Sequence, residues 1–444
     1  MTTTSPNVPT SVTEKHFIND DDTSSNLKKE GIDVEQVSEL SQELIPPPDG
    51  GLKAWLTVFG AFCCFFATQG YGYSWGVYLR QYNTVEYPGN MTLISWVGSL
   101  WYWFCTITGP ISMWLASRFN DRLIVGVACI LCCLALMFAS ITNEIWQLYL
   151  TQGVMSGIGT SLAWYVCLRN PQQWFDKRRG LAVGITMSAS GVGGLALSNI
   201  SNACFEAVGY RWALRILGFI ELVALAIGAA FSFRLNPIPK NVPLIDWKDF
   251  KNKDFIIFFV IHFVGNFAFY MPASFVPSYA DYLKIDPWVG TNISAIMAAL
   301  MFVGKISVGF ISDYVGRFNM AVFCSIMACI VHLAVWLTAT SAGSMWAFAC
   351  LYGIFGGGYI AMITSLTAQI VGVDRVDTGT GWAFFAWSWG GLAAQPACSA
   401  IIEMGSGNNY QGAIIYSGVL FFAGSCLCWL LRVRRGGWKL LKAV

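Results

Sequence analysis

Charge is what this sequence lacks. Asp, Glu, Lys and Arg make up 12% of its 444 residues, about half the roughly 25% usual in soluble domains. That shortage argues against a cytosolic enzyme and against a disordered protein. The formal net charge is +2, and no basic face is broad enough to coat phosphates, so nucleic acid is not an expected partner. No G-x-x-x-x-G-K-(S/T) loop occurs, which removes that cradle for ATP phosphates. Cysteine is plentiful, but the 14 cysteines sit largely in apolar runs, as Cys129, Cys132 and Cys133 do. There a thiol acts as a small hydrophobe. The Cys129–Cys132 spacing has no second Cys/His pair in polar sequence to complete a metal site. No cofactor and no metal are expected.

What is present divides sharply near Pro46-Pro47-Pro48. Residues 1–48 carry nine acids against three lysines and almost no aromatics. They bury too little apolar surface to fold alone, and read as a disordered acidic tail. No basic start followed by an apolar core marks a cleaved signal peptide. Beyond the prolines, apolar runs dominate, and the chain's mean hydropathy is +0.53. A bilayer core needs roughly 20 apolar helical residues. Runs of that length fall near 54–79, 93–116, 123–141, 146–168, 181–203, 212–233, 255–279, 289–312, 320–340, 345–370, 380–402 and 412–432. They are too long and too continuously apolar for barrel strands. The expectation is an all-α membrane protein with twelve transmembrane helices.

Basic residues in the connections give an orientation. With the N-terminus inside, 22 Lys and Arg fall on the cytoplasmic side and 4 (Arg80, Arg211, Arg215, Lys284) outside. Both termini are then cytoplasmic. The plasma membrane is the expected location, with a vacuolar or other internal membrane as the alternative. The longest break, residues 234–254, holds three prolines and several lysines. It divides the chain into a six-helix bundle at 49–233, a cytoplasmic linker at 234–254 and a second six-helix bundle at 255–433, followed by a short basic tail at 434–444. An internal repeat agrees with the division. Gly109–Arg122 reads GPISMWLASRFNDR, and Gly304–Arg317 reads GKISVGFISDYVGR.

The second copy resembles the loop pattern of the major facilitator superfamily through Gly304, Lys305, Gly309, Asp313, Gly316 and Arg317. The first copy departs from it: Arg118 stands where the acid belongs, and Asp121 and Arg122 come later. Two further motifs resemble the monocarboxylate porter family, in its fungal branch. Asp49-Gly50-Gly51 precedes the first run, with Trp55 soon after. Trp174-Phe175-Asp176-Lys177-Arg178-Arg179 leads into the fifth. The resemblance implies two bundles rocking about a midplane site. It implies latch or gate roles for Asp313, Arg317, Asp121, Arg122, Lys177, Arg178 and Arg179, although ordinary inside-loop charge and lipid-headgroup anchoring explain basic residues there equally.

A charge at membrane depth is a functional hypothesis. Lys305 lies deep in the eighth run. The resemblance implies a contact to a substrate anion; a latch or a side chain snorkelling to the surface is the other reading. The acid expected one turn earlier is replaced by Met301, and the lysine typical of the animal branch's first helix by Tyr73. His262, Asn266 and Tyr270 recur at i, i+4 and i+8 and share one helical face, lining a cavity or bonding to a neighbouring helix. Gln69 and Tyr73 are further candidates on the first run. Small residues of the fifth run, including Gly191, Gly193 and Gly194, read as a sliding contact face. The glycines at 353 and 356–358 suggest either a broken helix or tight packing. Asn90 and Asn292 head glycosylation sequons.

The reading is a secondary active transporter of a small organic solute, monocarboxylate-like, working by alternating access and open to proton coupling. An efflux transporter for a fungal secondary metabolite is the alternative, favoured by the missing charge pair and the aromatics. A non-transporting nutrient sensor on the same fold ranks below both, and an enzyme lower still. The lipid bilayer and a small-molecule substrate are the partners, and a monomer is expected.

Overall fold

The computed structural model describes residues 45, 47–175, 178–236, 250–371, 376–404 and 409–437. The expected tail 1–48 (apart from 45, 47 and 48), the centre of the linker at 237–249 and residues 438–444 lie outside the described residues. Among the described residues every regular element is helical, and the helices belong to one compact unit that begins at Pro47.

The first six passes are α1 (Leu52–Gln81), α2 (Met91–Ile107, resumed as Gly109–Arg118), α3 (Asp121–Ala139), α4 (Ile145–Leu148 and Ser156–Trp174, joined by a π-helical turn), α5 (Arg179–Val208) and α6 (Tyr210–Ala230). The second six are α7 (Lys253–Tyr282), α8 (Pro287–Val315), α9 (Arg317–Ile330, prolonged by a π-helical turn to Trp336), α10 (Ala342–Val371), α11 (Val376–Glu403) and α12 (Tyr410–Gly436). The end of the molecule where α1 and α7 begin is called the linker end below, and the opposite end the distal end.

Local chemistry sets the boundaries. The side chains of Asn120, Asn252 and Asp286 accept backbone N–H bonds at the starts of α3, α7 and α8, as N-caps do. α2 breaks at Thr108 because Pro110 has no N–H to give and its ring crowds the preceding turn. α8 and α9 meet at Gly316, whose φ of 99° admits glycine readily and other residues at a cost. The helices overrun the apolar runs by a few residues, since helical hydrogen bonding does not stop where apolar sequence does. One overrun corrects an expected boundary. α12 continues to Gly436, so Arg434 and Arg435 are helical rather than tail. Both reach Asp254 at the start of α7, at 3.0 and 2.7 Å.

The helices cross closely where glycine permits. A Cβ on Gly76 would lie 2.4 Å from the Ala273 carbonyl oxygen, and one on Gly191 would lie 2.7 Å from that of Ala298. These are the crossings of α1 with α7 and α5 with α8, and both join the two halves. Small residues allow such approach where the surrounding lipid supplies no hydrophobic drive for association. The glycines of α10 serve the same purpose. That helix is continuous, and a Cβ on Gly357 would sit 2.3 Å from the Met301 carbonyl oxygen, so packing rather than a break accounts for them. Gly309, by contrast, has nothing within 4 Å of its would-be Cβ and makes no close crossing. The outward surface is apolar, as hydrocarbon requires: Phe219, Val223, Phe310 and Phe422 are all more than half exposed.

Candidate functional site between the two halves

Lys305 and Tyr73 come together. The Lys305 ammonium lies over the Tyr73 ring at 5.6 Å and donates to Ser190 Oγ at 3.4 Å. The three residues come from α8, α1 and α5, so the lysine of the second half is held against the first. Both ligands are neutral: a ring face attracts a cation, and a hydroxyl solvates it. Lys305, Tyr73, Gln69 and Tyr270 all keep partial exposure. Gln69 points toward α2, with Nε2 3.8 Å from Cys105 Sγ.

The α7 stripe divides between the two expected roles. Asn266 Nδ2 donates to the Trp387 carbonyl oxygen of α11, and Trp387 Nε1 donates to the Tyr270 hydroxyl at 3.2 Å. These are helix–helix bonds. Tyr270 also faces the first half, where its ring centroid lies 3.8 Å from that of Tyr102 on α2. His262 is buried, at 2% exposure, against Phe258. It borders a cavity of about 10 Å³ shared with Tyr359 and Cys428, about the space of one water. Neither His262 nor Asn266 is brought to Lys305.

Aromatic and amide groups continue the seam between the halves. Trp75 Nε1 donates to Gln395 Oε1 at 3.1 Å. Trp103 meets Trp389 at 5.9 Å, and Trp164 meets Phe384 at 5.2 Å. Tyr270 and Trp103 thus stand at the contact between the halves, as Lys305 does through Tyr73 and Ser190.

The distal end carries a clasp that sequence reasoning missed. Arg80 at the end of α1 lies 2.5 Å from Asp281 at the end of α7. The Thr92 backbone N–H and hydroxyl at the start of α2 both donate to the Glu403 carboxylate at the end of α11, at 2.8 and 2.7 Å. Both contacts cross between halves. A signal was available, since Arg80 is one of few basic residues on the side read as outside, yet its partner is 201 positions away. The Asn90 sequon borders this clasp. Its Thr92 hydroxyl is engaged by Glu403, and Asn90 itself precedes α2. Asn292 lies within α8, where its side chain donates to the Trp288 carbonyl.

At the linker end the charges pair inside their own halves. Asp121, 1% exposed, accepts from Arg169 of α4 at 2.8 Å and from Arg234 beyond α6 at 3.0 Å. Arg122 stacks over Phe233 at 4.7 Å. In the second half Arg432 of α12 donates to Asn319 of α9 at 2.8 Å. Each half therefore ties the end of its sixth helix to the start of its third, an arrangement that follows the internal repeat. Arg317 heads α9. The Asp313 and Arg179 side chains and the whole of Lys177 lie outside the described residues, and Arg178 is exposed. The two motifs of the porter pattern meet: the Asp49 N–H donates to the Trp174 carbonyl oxygen at 3.1 Å, and Trp55 packs edge-on against Phe175 at 5.0 Å. Asp49 takes a positive φ of 52° to do so. Gly50 and Gly51 follow with nothing within 4 Å of a would-be Cβ.

Comparison with known proteins places this architecture. The family profile described as Major Facilitator Superfamily matches residues 57–395. A protein of Aspergillus flavus named "MFS transporter asaE" is 31% identical over 402 residues, which is 89% of this chain and 90% of that protein. The "Fujikurins efflux protein" of Gibberella fujikuroi is 29% identical, covering 89% of this chain and 86% of the relative. Among solved structures, the nucleoside transporter NupG superposes with a TM-score of 0.66 at 15% identity, over 85% of this chain and all of the other. At that identity the likeness is one of fold.

Proposed function

This chain belongs to the Major Facilitator Superfamily and carries a small solute across a membrane, and we propose that it exports an organic anion with a large apolar body, a secondary metabolite of the kind fungi make. The observation that carries the proposal is at the seam between the halves, where Lys305 lies over the Tyr73 ring, donates to Ser190 and has no acid as partner among the described residues. An uncompensated ammonium in an aromatic setting suits an anion attached to rings better than a small hydrated acid. The names of the relatives support export: one is an efflux protein for fujikurins, another for aspyridones. The likeness of Asp49-Gly50-Gly51 and the Trp174–Arg179 stretch to monocarboxylate porters supports a carboxylate as the negative group. The solute class and the family pattern then agree on one chemistry.

The mechanism is alternating access. The distal clasp closes the halves on each other at that end, which supports a state entered from the linker end. The 22:4 distribution of basic residues supports a cytoplasmic linker end and cytoplasmic termini. Solute then enters from the cytoplasm, binds between Lys305 and the aromatic seam, and leaves when the clasp parts. A monomer in the plasma membrane suffices for this cycle.

Untargeted metabolite profiling inside and outside cells, with and without the protein, tests the reading. An anionic, ring-bearing compound is expected to build up inside when the protein is removed. Depletion of such a compound inside would mean uptake, and an unchanged profile would sink the export reading. Epitope tags at either terminus are expected to stay unlabelled by antibody on intact cells and to label after permeabilisation; labelling of intact cells would reverse the orientation.

A further inference from the structure

Glu221 has no role in the site above, yet it is a carboxyl buried at mid-helix in the first half. It lies midway along α6 and is 2% exposed. Its Oε2 has no hydrogen-bond partner. The cations of its own helix are occupied elsewhere: Arg211 donates to Asn143 at 2.7 Å, and Arg215 donates to Ser140 at 3.0 Å, both toward the distal end. The groups within electrostatic reach of it, among the described residues, are neutral: Tyr71 and Tyr78 of α1 and Cys129, Cys132 and Cys133 of α3. α3 lies close, since Cys129 Sγ donates to the Leu222 carbonyl at 3.2 Å. From α5, Cys204 stands beside Tyr78. The Tyr71 hydroxyl, like Glu221 Oε2, has no hydrogen-bond partner among the described residues. A buried carboxylate with no cation is costly, and the ligand that removes its charge without adding bulk is a proton.

Two chains of contacts lead away from it. One runs to the distal end through phenols. Tyr71, Tyr78, Tyr82 and Tyr210 follow one another with ring centroids 5.9, 6.2 and 6.0 Å apart. Their hydroxyls meet polar side chains, Tyr78 with Ser201 at 3.0 Å and Tyr82 with Gln152 at 3.1 Å. The other chain runs to the seam. Tyr71 packs edge-on against Trp101 at 5.9 Å, Trp101 against Tyr102 at 4.7 Å, and Tyr102 against Tyr270 of the second half. These ring contacts connect the surroundings of Glu221 with Tyr270, a side chain of the candidate site.

We propose that Glu221, with Tyr71 and Tyr78, is a proton-binding site inside the first bundle, reached by water from the distal face alongside the tyrosine ladder, and that it couples solute export to inward proton movement. On the distal side the carboxylate takes a proton from hydronium, leaving water. On the linker side the carboxylic acid returns the proton to water. One proton moves in for each solute expelled. This inference rests on the transporter reading, and its test separates the two.

The first measurement needs no solute. Infrared difference spectra of the purified full chain in lipid vesicles, between acid and alkaline pH, are expected to contain a carboxylic-acid C=O band. That band is expected to vanish in Glu221→Gln and to shift in Glu221→Asp and Tyr71→Phe. A band unchanged in Glu221→Gln overturns the proton site. The second measurement uses vesicles and the metabolite identified by profiling. Under a gradient of one pH unit, with the membrane potential clamped at zero because the exchange of an anion for a proton moves charge, one-to-one coupling sustains about a tenfold solute ratio. In Glu221→Gln that ratio is expected to fall to about one, while solute exchange across the membrane persists. A ratio that stays near tenfold overturns coupling through Glu221. Should Glu221→Gln fail to fold, Glu221→Asp and Tyr71→Phe carry both measurements. If the wild type moves no solute, the export reading fails, and the infrared band still decides the proton site.

Discussion

Replacing Lys305 with methionine is expected to raise the apparent KM for an anionic solute by about 10- to 100-fold while leaving the protein as stable as before, or more so. The first effect follows from the loss of a charge-assisted contact, worth about 1.5–3 kcal/mol, at roughly tenfold per 1.4 kcal/mol. The second follows from the surroundings. The ammonium has a phenol ring and one serine hydroxyl as its neighbours, and insertion scales put a lysine at helix centre at about 2.5–3.5 kcal/mol. Methionine fills the same space without that cost. The opposite signs make the test decisive. A latch or structural lysine loses stability and activity together, whereas a binding lysine loses only transport. Lys305→Arg retains the charge and is expected to recover part of the affinity. Transport assays in vesicles and thermal unfolding in detergent read the two quantities separately. Intact affinity in Lys305→Met would rule out the binding role.

Asp121→Asn is expected to produce the largest loss of stability of any single charge removal at the linker end. The carboxylate is 1% exposed and sits between Arg169 and Arg234, whose side chains are 16% and 22% exposed. Removing one member of a buried ion cluster costs about 3–5 kcal/mol. The residual exposure of the arginines sets the expectation at the low end, about 3 kcal/mol. Among the described residues Arg234 keeps the Ala116 and Phe119 carbonyls, and Arg169 keeps Asn170 as one of its partners. The apparent melting temperature is expected to drop by several degrees. An apolar triple replacement (Asp121→Leu, Arg169→Met, Arg234→Met) is expected to recover most of the loss, because it buries no lone charge. If Asp121→Asn melts with the wild type, the cluster is not a stabilising element. If it melts normally but changes the rate of transport, the cluster belongs to the moving parts.

Much of the fold was legible because a bilayer imposes simple rules. Twelve apolar runs became twelve helical passes, since lipid offers the backbone no partner outside a helix. The repeat at Gly109 and Gly304 anticipated that the halves share a plan. The Lys305–Tyr73 pairing was half visible: each residue stood out as unusual at its depth, one as a charge and the other as a stand-in for a missing lysine. The α7 stripe was visible as a face, but whether a helical face meets a cleft or a neighbouring helix depends on what packs there. Trp387 decided that for Asn266. Glu221 stands in the middle of the sixth run, but whether a cation meets an acid there depends on the helices packed around it.

By itself, the sequence determined the class of solvent, the number of passes, the division into halves and the sides on which charge gathers. Each follows from local composition over stretches of about 20 residues, the thickness of a bilayer core. Tertiary structure alone decided which charges meet. Arg80 finds Asp281 across 201 positions, Thr92 finds Glu403 across 311, and Asp121 finds Arg234 across 113. Pairing energy depends on distance and burial, neither of which is written in spacing along the chain. The same separation applies to Glu221, whose neutral neighbours Tyr71, Tyr78 and Cys132 come from other helices.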